Sequence, residues 1–80
     1  MFYVYVIQSI RFPEKIYIGI TCDVMKRIDT HNAGGSLYTA PYKPWHLIVY
    51  TCFKDEKKAR QFEKYLKSGS GRAFAKKRLL

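Results

Sequence analysis

Cysteine is scarce in this 80-residue sequence: Cys22 and Cys52 stand far apart and form no CxxC pair. That spacing excludes a dithiol redox motif and offers no zinc-ligand pattern, leaving two reduced thiols as the plain reading. Long hydrophobic runs are missing as well. The apolar stretch in MFYVYVIQSI is too short for a signal-peptide core or a membrane span, and no positive segment precedes it, so a cytoplasmic, soluble chain is expected. Acidic residues are few, six against fifteen Lys and Arg, for a net charge of +9. A surface so one-sided in sign favours polyanions through counterion release, with nucleic acid as the default partner. No internal repeat or low-complexity segment is present, and the length admits one domain over residues 1–80 but not two.

What the chain does have is apolar area. Hydrophobic residues make up 48% and aromatic residues 16% of it, enough to offset the ordering entropy that keeps polar sequences unfolded. The positive charge is uneven: residues 54–80 carry ten basic and three acidic residues, residues 1–53 five and three. The carboxyl-terminal third is therefore the expected phosphate-contacting face, with Arg72, Lys76, Lys77 and Arg78 as its candidates.

FYVYVIQ at 2–8 and KIYIGI at 15–20 are rich in β-branched and aromatic types, separated by a proline-containing segment, and predict a hairpin. Period two groups Phe2, Val4 and Val6, and likewise Ile16, Ile18 and Ile20, as core; Tyr3, Tyr5, Tyr17 and Gly19 point the other way. TCDVMKRIDTHN predicts a short helix capped by Thr21 or Asp23, with Val24 and Ile28 inward. Two glycines and two prolines in AGGSLYTAPYKPW predict a long surface loop. HLIVYTCF at 46–53 predicts a third strand buried on both faces. DEKKARQFEKYLKS, capped by Asp55, predicts an amphipathic helix on Ala59, Phe62 and Leu66. SGSG at 68–71 is expected to break it, and RAFAKKRLL to form a short basic helix docking Ala73, Phe74 and Leu79.

Arg27 and His31 lie four apart on one helix face at the border of the apolar stripe, and Glu63 borders the stripe of the later helix. With Tyr5 and Tyr17 they make five polar groups able to converge. Phosphodiester hydrolysis needs a base for water, cationic stabilisation of the phosphoryl oxygens and help for the departing oxygen, and this set supplies each. Magnesium is commonly held by one or two carboxylates plus waters and substrate phosphate, so Glu63 alone suffices. A tyrosine base needs neighbouring cations or an imidazole to favour its phenolate, and Arg27 and His31 are placed to provide them.

These residues resemble the GIY-YIG nucleases. Tyr17-Ile18-Gly19 is the intact YIG half; Tyr3-Val4-Tyr5 stands for the GIY half, its final tyrosine kept and its glycine replaced. The likeness continues through Arg27, His31 and Glu63. HNAGGSLYTAPYKPWHLIVY is similar to the small stand-alone bacterial branch, itself similar to the amino-terminal nuclease domain of the repair excinuclease. The resemblance implies an α/β (α+β) fold, a small three-stranded antiparallel sheet flanked by helices, that cuts DNA with a single divalent metal, Mg2+ or Mn2+, in settings such as repair or recombination. It assigns Tyr5 to water activation with His31 assisting, Tyr17 to positioning, Arg27 to the transition state, Glu63 to the metal and Gly19 to keeping the site open. The family's late asparagine has no counterpart here, with Ser68 or Ser70 as the available substitutes.

Each residue has a plainer role when taken singly: Tyr5 and Tyr17 as a cross-strand aromatic pair, Arg27 and His31 as a solvated helix flank, Glu63 paired with Lys67, and His46 as a structural residue. Tyr38, Tyr42 and Trp45 are candidates for stacking on bases or for anchoring the loop. The joint order favours an endonuclease. The alternative is a non-catalytic module that keeps the fold and binds DNA or RNA, and a third reading is a small RNA-associated protein unrelated to nucleases. A monomer or weak dimer is expected, with a separate protein partner as a source of targeting.

Overall fold

A computed structural model describes residues 1–80. Strand β1 (Phe2–Ser9) runs antiparallel to β2 (Ile16–Thr21) on one side and to β3 (Trp45–Phe53) on the other, giving the order β2-β1-β3. The alternation of β1 explains its central place: successive side chains face opposite ways, and Val4, Tyr5, Val6 and Ile7 are all buried because both faces are covered. Phe2, Val4 and Val6 join Ile16, Ile18 and Ile20 under Ala59, Leu66 and Ala75. Tyr5 and Ile7 join Val24, Ile28 and Trp45 on the opposite face, with Tyr3 and Tyr17 packed beside them. The two strand faces are those predicted from period two.

Helix α1 (Val24–Asn32) covers the tyrosine face and is capped by Asp23, whose carboxylate accepts from the Lys26 N–H. Thr21 instead ties itself to the Asp23 backbone. Helix α2 (Glu56–Leu66), capped by Asp55, covers the valine face together with α3 (Gly69–Arg78).

Two expectations need correction here. Strand β3 is not buried on both faces; it is an edge strand with alternating exposure. Its continuous apolar run reflects a bulge: Val6 pairs with Val49 but Ile7 with Leu47, so Ile48 is the extra residue. A one-residue insertion reverses the facing of everything beyond it. Phe53 and Val49 thus pack with the valine face, while Leu47 and Trp45 turn to the tyrosine face. SGSG, for its part, does more than end α2: it begins α3. The Ser68 hydroxyl accepts from the Gly71 N–H and donates to the Tyr65 carbonyl at 2.6 Å. Gly71 sits so close to the end of α2 that a Cβ there would meet the Tyr65 carbonyl oxygen and lie 2.6 Å from the Leu66 Cα. Starting earlier than expected, α3 turns Gly71 and Ala75 inward and leaves Ala73 and Phe74 exposed. Of the three residues expected to dock, only Leu79 packs against the core.

Candidate active site

Tyr5 lies directly opposite Gly19 across the β1–β2 ladder, with Tyr17 opposite Ile7 one step along on the same face. The ring centroids of Tyr5 and Tyr17 are 6.3 Å apart. A Cβ on Gly19 would stand 2.6 Å from Cζ of Tyr5 and collide with its hydroxyl oxygen. Gly19 therefore makes room for the phenol itself. An aromatic ring cannot bend away from such a contact, so Gly19→Ala should tilt Tyr5 off its partners. Overpacking of this kind costs about 1–3 kcal/mol. We expect circular dichroism to report an intact sheet with a lowered melting temperature.

The partners of Tyr5 come from α1. His31 Nε2 is 2.8 Å from the phenol oxygen, and Arg27 Nε–H donates to the same oxygen at 3.3 Å. Helical spacing puts both residues at the edge of the core; Arg27 is indeed half-buried, but His31 is fully buried at 0% exposure. What seals His31 is Thr39, a buried residue of the connecting loop that no motif or periodicity singles out. Its Oγ1 is 2.7 Å from His31 Nδ1 and donates to the Ser36 carbonyl at 3.4 Å. With the hydroxyl proton so engaged, Thr39 accepts from Nδ1–H, and Nε2 is left as the acceptor for the Tyr5 O–H. The loop is fixed from behind by Trp45, which is buried as an anchor and donates through Nε1 to the Thr39 carbonyl. Asn32 brackets the Trp45 backbone, accepting from its N–H and donating to its carbonyl. Asn32 and Ser68 both serve structural ends, and His46 is exposed beside Gln8.

Burial raises the Tyr5 pKa above 10.0, more than the Arg27 hydrogen bond and charge lower it; the Tyr17 and Glu63 charges add to the rise. Burial, and then the Arg27 charge, lowers His31 below 6.5. Arg27 favours the phenolate, as expected of a neighbouring cation, but burial outweighs it, so the resting pair is neutral phenol and neutral imidazole. Because the unfolded chain protonates His31 more readily, its contribution to stability is complete above pH 6.5 and declines as the pH falls through that value. Tyr5 contributes fully below pH 10.0 and progressively less above it. Urea unfolding should therefore give highest stability for this pair between those limits, and the His31 ring should titrate by NMR with a midpoint below 6.5.

Tyr17 is half-buried and forms the outer rim of the cluster, its ring 5.1 Å from that of His31. Four of the five expected residues therefore meet on one face. Glu63 stands off: it belongs to α2, on the valine-face layer, and its Oε2 pairs with Lys67 Nζ at 3.2 Å, the i,i+4 contact anticipated for it. It makes no hydrogen bond to the tyrosine cluster, although its charge is felt at the Tyr5 phenol. No group of three or more His, Cys, Asp or Glu residues able to hold a metal is present. Glu63 is the acidic candidate with a link to the cluster, and its half-buried carboxylate has Oε1 unpartnered. That fits a hard cation of the magnesium type, which takes one or two carboxylates and keeps its waters. Arg72 and Lys76 line a groove beside Tyr17, whereas Lys77 and Arg78 lie on the same helix outside it.

A three-stranded antiparallel sheet carries the tyrosine pair and the glycine on one face, and α1 brings Arg27 and His31 to it, the residues by which the sequence resembles the GIY-YIG class. The family profile described as "GIY-YIG catalytic domain" matches residues 1–78, and the chain belongs to that family. It is 37% identical over 67 residues to a UPF0213 protein from Haloquadratum walsbyi, covering 82% of this chain and 73% of that one. It is 35% identical over 72 residues to a UPF0213 protein from Streptococcus pyogenes serotype M3, covering 89% and 76%. It is also 35% identical over 65 residues to the structure-specific endonuclease subunit SLX1 homolog of Giardia intestinalis, covering 76% of this chain but 18% of that longer protein. The family is one of endonucleases, and no helix here is long and apolar enough to cross a membrane.

Proposed function

We propose that this protein is a divalent-metal-dependent endonuclease that hydrolyses DNA phosphodiester bonds, with Tyr5 as general base. The observation that carries this reading is the bridging position of the Tyr5 hydroxyl, which donates to His31 Nε2 while accepting from Arg27. Tyr5 takes a proton from the attacking water as its own proton passes to His31 Nε2. Neither group need be charged beforehand, which reconciles a raised phenol pKa with a role as base. His31 can accept because Thr39 already holds its Nδ1–H. The imidazolium so formed keeps a hydrogen bond at each nitrogen.

Arg27 remains charged throughout and offers the rest of its guanidinium fork to a phosphoryl oxygen, the geometry that suits arginine to phosphate. Tyr17, half-buried on the outer rim, orients the water and the scissile phosphate. Glu63 would hold one Mg2+ or Mn2+ together with waters and substrate phosphate; the ion's chemistry is to neutralise charge developing on the phosphoryl and departing oxygens. Arg72, Lys76, Lys77 and Arg78 on α3 supply sequence-independent phosphate contacts. DNA shape or a partner protein supplies selectivity, in keeping with work in repair or recombination.

The experiment is conversion of supercoiled plasmid to nicked circles with magnesium or manganese, against a chelator control. Cutting in metal alone supports the proposal. One observation favours a second reading, a non-catalytic nucleic-acid-binding module: Lys67 occupies one oxygen of the carboxylate that a cation would need. That reading expects salt-steep binding unchanged by chelator and no nicks with either metal.

A further inference from the structure

A groove of about 900 Å³ lies between the edge strand β2 and the α2–α3 layer, and it opens beside Tyr17. Its floor is apolar, formed in part by Ile16, Ile18 and Ala75, while its charged lining is Lys67, Arg72 and Lys76 against the single acid Glu14. Arg72 and Lys76 are one helical turn apart on α3, and neither has an ion-pair partner. At the groove's mouth stands Tyr38, 68% exposed, with its ring 5.8 Å from that of Tyr17. Tyr17 in turn lies against His31, so a row of rings runs from the groove into the buried cluster. Lys67 links the groove to Glu63 as well.

We propose that this groove is the binding track for an unpaired DNA strand, with Tyr38 as the platform for a base and Lys67, Arg72 and Lys76 as the phosphate contacts. The inference rests on the nuclease reading for its purpose, since a strand lying there passes Tyr17, with Glu63 next to the groove through its pair with Lys67. Size decides against a duplex. The volume falls in the range of about 300–1,000 Å³ that takes a compact ligand, comparable with a nucleotide or two and far too small for two paired strands. An apolar floor and an exposed ring suit splayed bases, and flanking cations suit a backbone; both features are tolerant of sequence. Nothing comparable lies along the exposed edge of β3, which contains no lysine or arginine.

The test is fluorescence anisotropy in chelator, with a short labelled single strand and the blunt duplex of the same sequence, at stepped salt concentrations. Wild type should prefer the single strand. Tyr38→Ala should weaken that binding by roughly 5- to 100-fold, Tyr38→Phe should restore it to within about twofold, and duplex binding should not move. Replacing Arg72 and Lys76 together by alanine should make the salt dependence shallower, by about 0.7 log unit per log unit of salt for each phosphate no longer neutralised. Since Tyr38 is exposed, the variants should stay folded; amide NMR of wild type with the same strand adds a check, with shifts expected at Tyr38, Arg72 and Lys76. Equal weakening of duplex and single strand by Tyr38→Ala, no weakening of either, or shifts confined to other surfaces would overturn the proposal. Because no cleavage is needed, failure to cut either the plasmid or the labelled single strand with magnesium or manganese, beside intact strand binding, would remove the nuclease reading alone, and cutting without the predicted strand binding would remove this one.

Discussion

Tyr5→Phe should abolish cleavage while leaving a folded protein. The substitution removes one oxygen, the atom that both His31 and Arg27 address. Without it no proton can pass from water to His31, and loss of a positioned base slows a reaction by about 10²–10⁴. The stability effect is separate and smaller. His31 Nε2 is left buried without a partner, which costs about 1–3 kcal/mol, and each kcal/mol lowers the melting temperature of a domain this size by about 4–8 °C. Single-turnover cleavage below that temperature, with circular dichroism on the same sample, separates the two effects. Cleavage within a few-fold of wild type would transfer the base role elsewhere.

Glu63→Gln is expected to give the second large loss, for a different reason. The amide keeps the shape and can still meet Lys67, and a surface i,i+4 ion pair contributes only about 0.3–0.5 kcal/mol, so stability should hardly change. What disappears is the charge that would hold a divalent ion near the phosphate. Removal of one preorganised electrostatic contact typically costs about 3 kcal/mol, a factor of about 10²–10³ in rate. Raising the metal concentration should recover part of the activity if the residue acts through the ion. Activity equal to wild type at every metal concentration would detach Glu63 from catalysis, and loss of folding would point to a structural role for its pair with Lys67.

Much of the fold is legible in the chain because alternation along a strand reports facing directly. It groups Tyr5, Tyr17 and Gly19 on one face, and the side-chain chemistry of Asp23 and Asp55 marks them as caps. Facing fails where the period itself changes: the bulge at Ile48 reverses the parity of β3 and disguises an edge strand as a buried one. SGSG carries the composition of a breaker, yet one hydroxyl, that of Ser68, turns it into a helix start. Helical spacing places His31 at a border, and its complete burial depends on a loop residue, Thr39, whose position is set by Trp45 and Asn32. Long-range closure of that sort leaves no periodic trace. Glu63 shows the opposite limit, since its order in the sequence suggests the cluster while its helix packs on the other layer.

Two phenols near one phosphate also permit covalent attack by a tyrosine, so the origin of the new oxygen decides the chemistry. Single-turnover cleavage in water enriched in oxygen-18, followed by mass spectrometry of the cut ends, measures it. Hydrolysis with Tyr5 as base puts one heavy oxygen on the product phosphate and leaves no DNA attached to the protein under denaturing conditions. A tyrosine-linked DNA adduct, or a first-turnover phosphate free of the label, would contradict it.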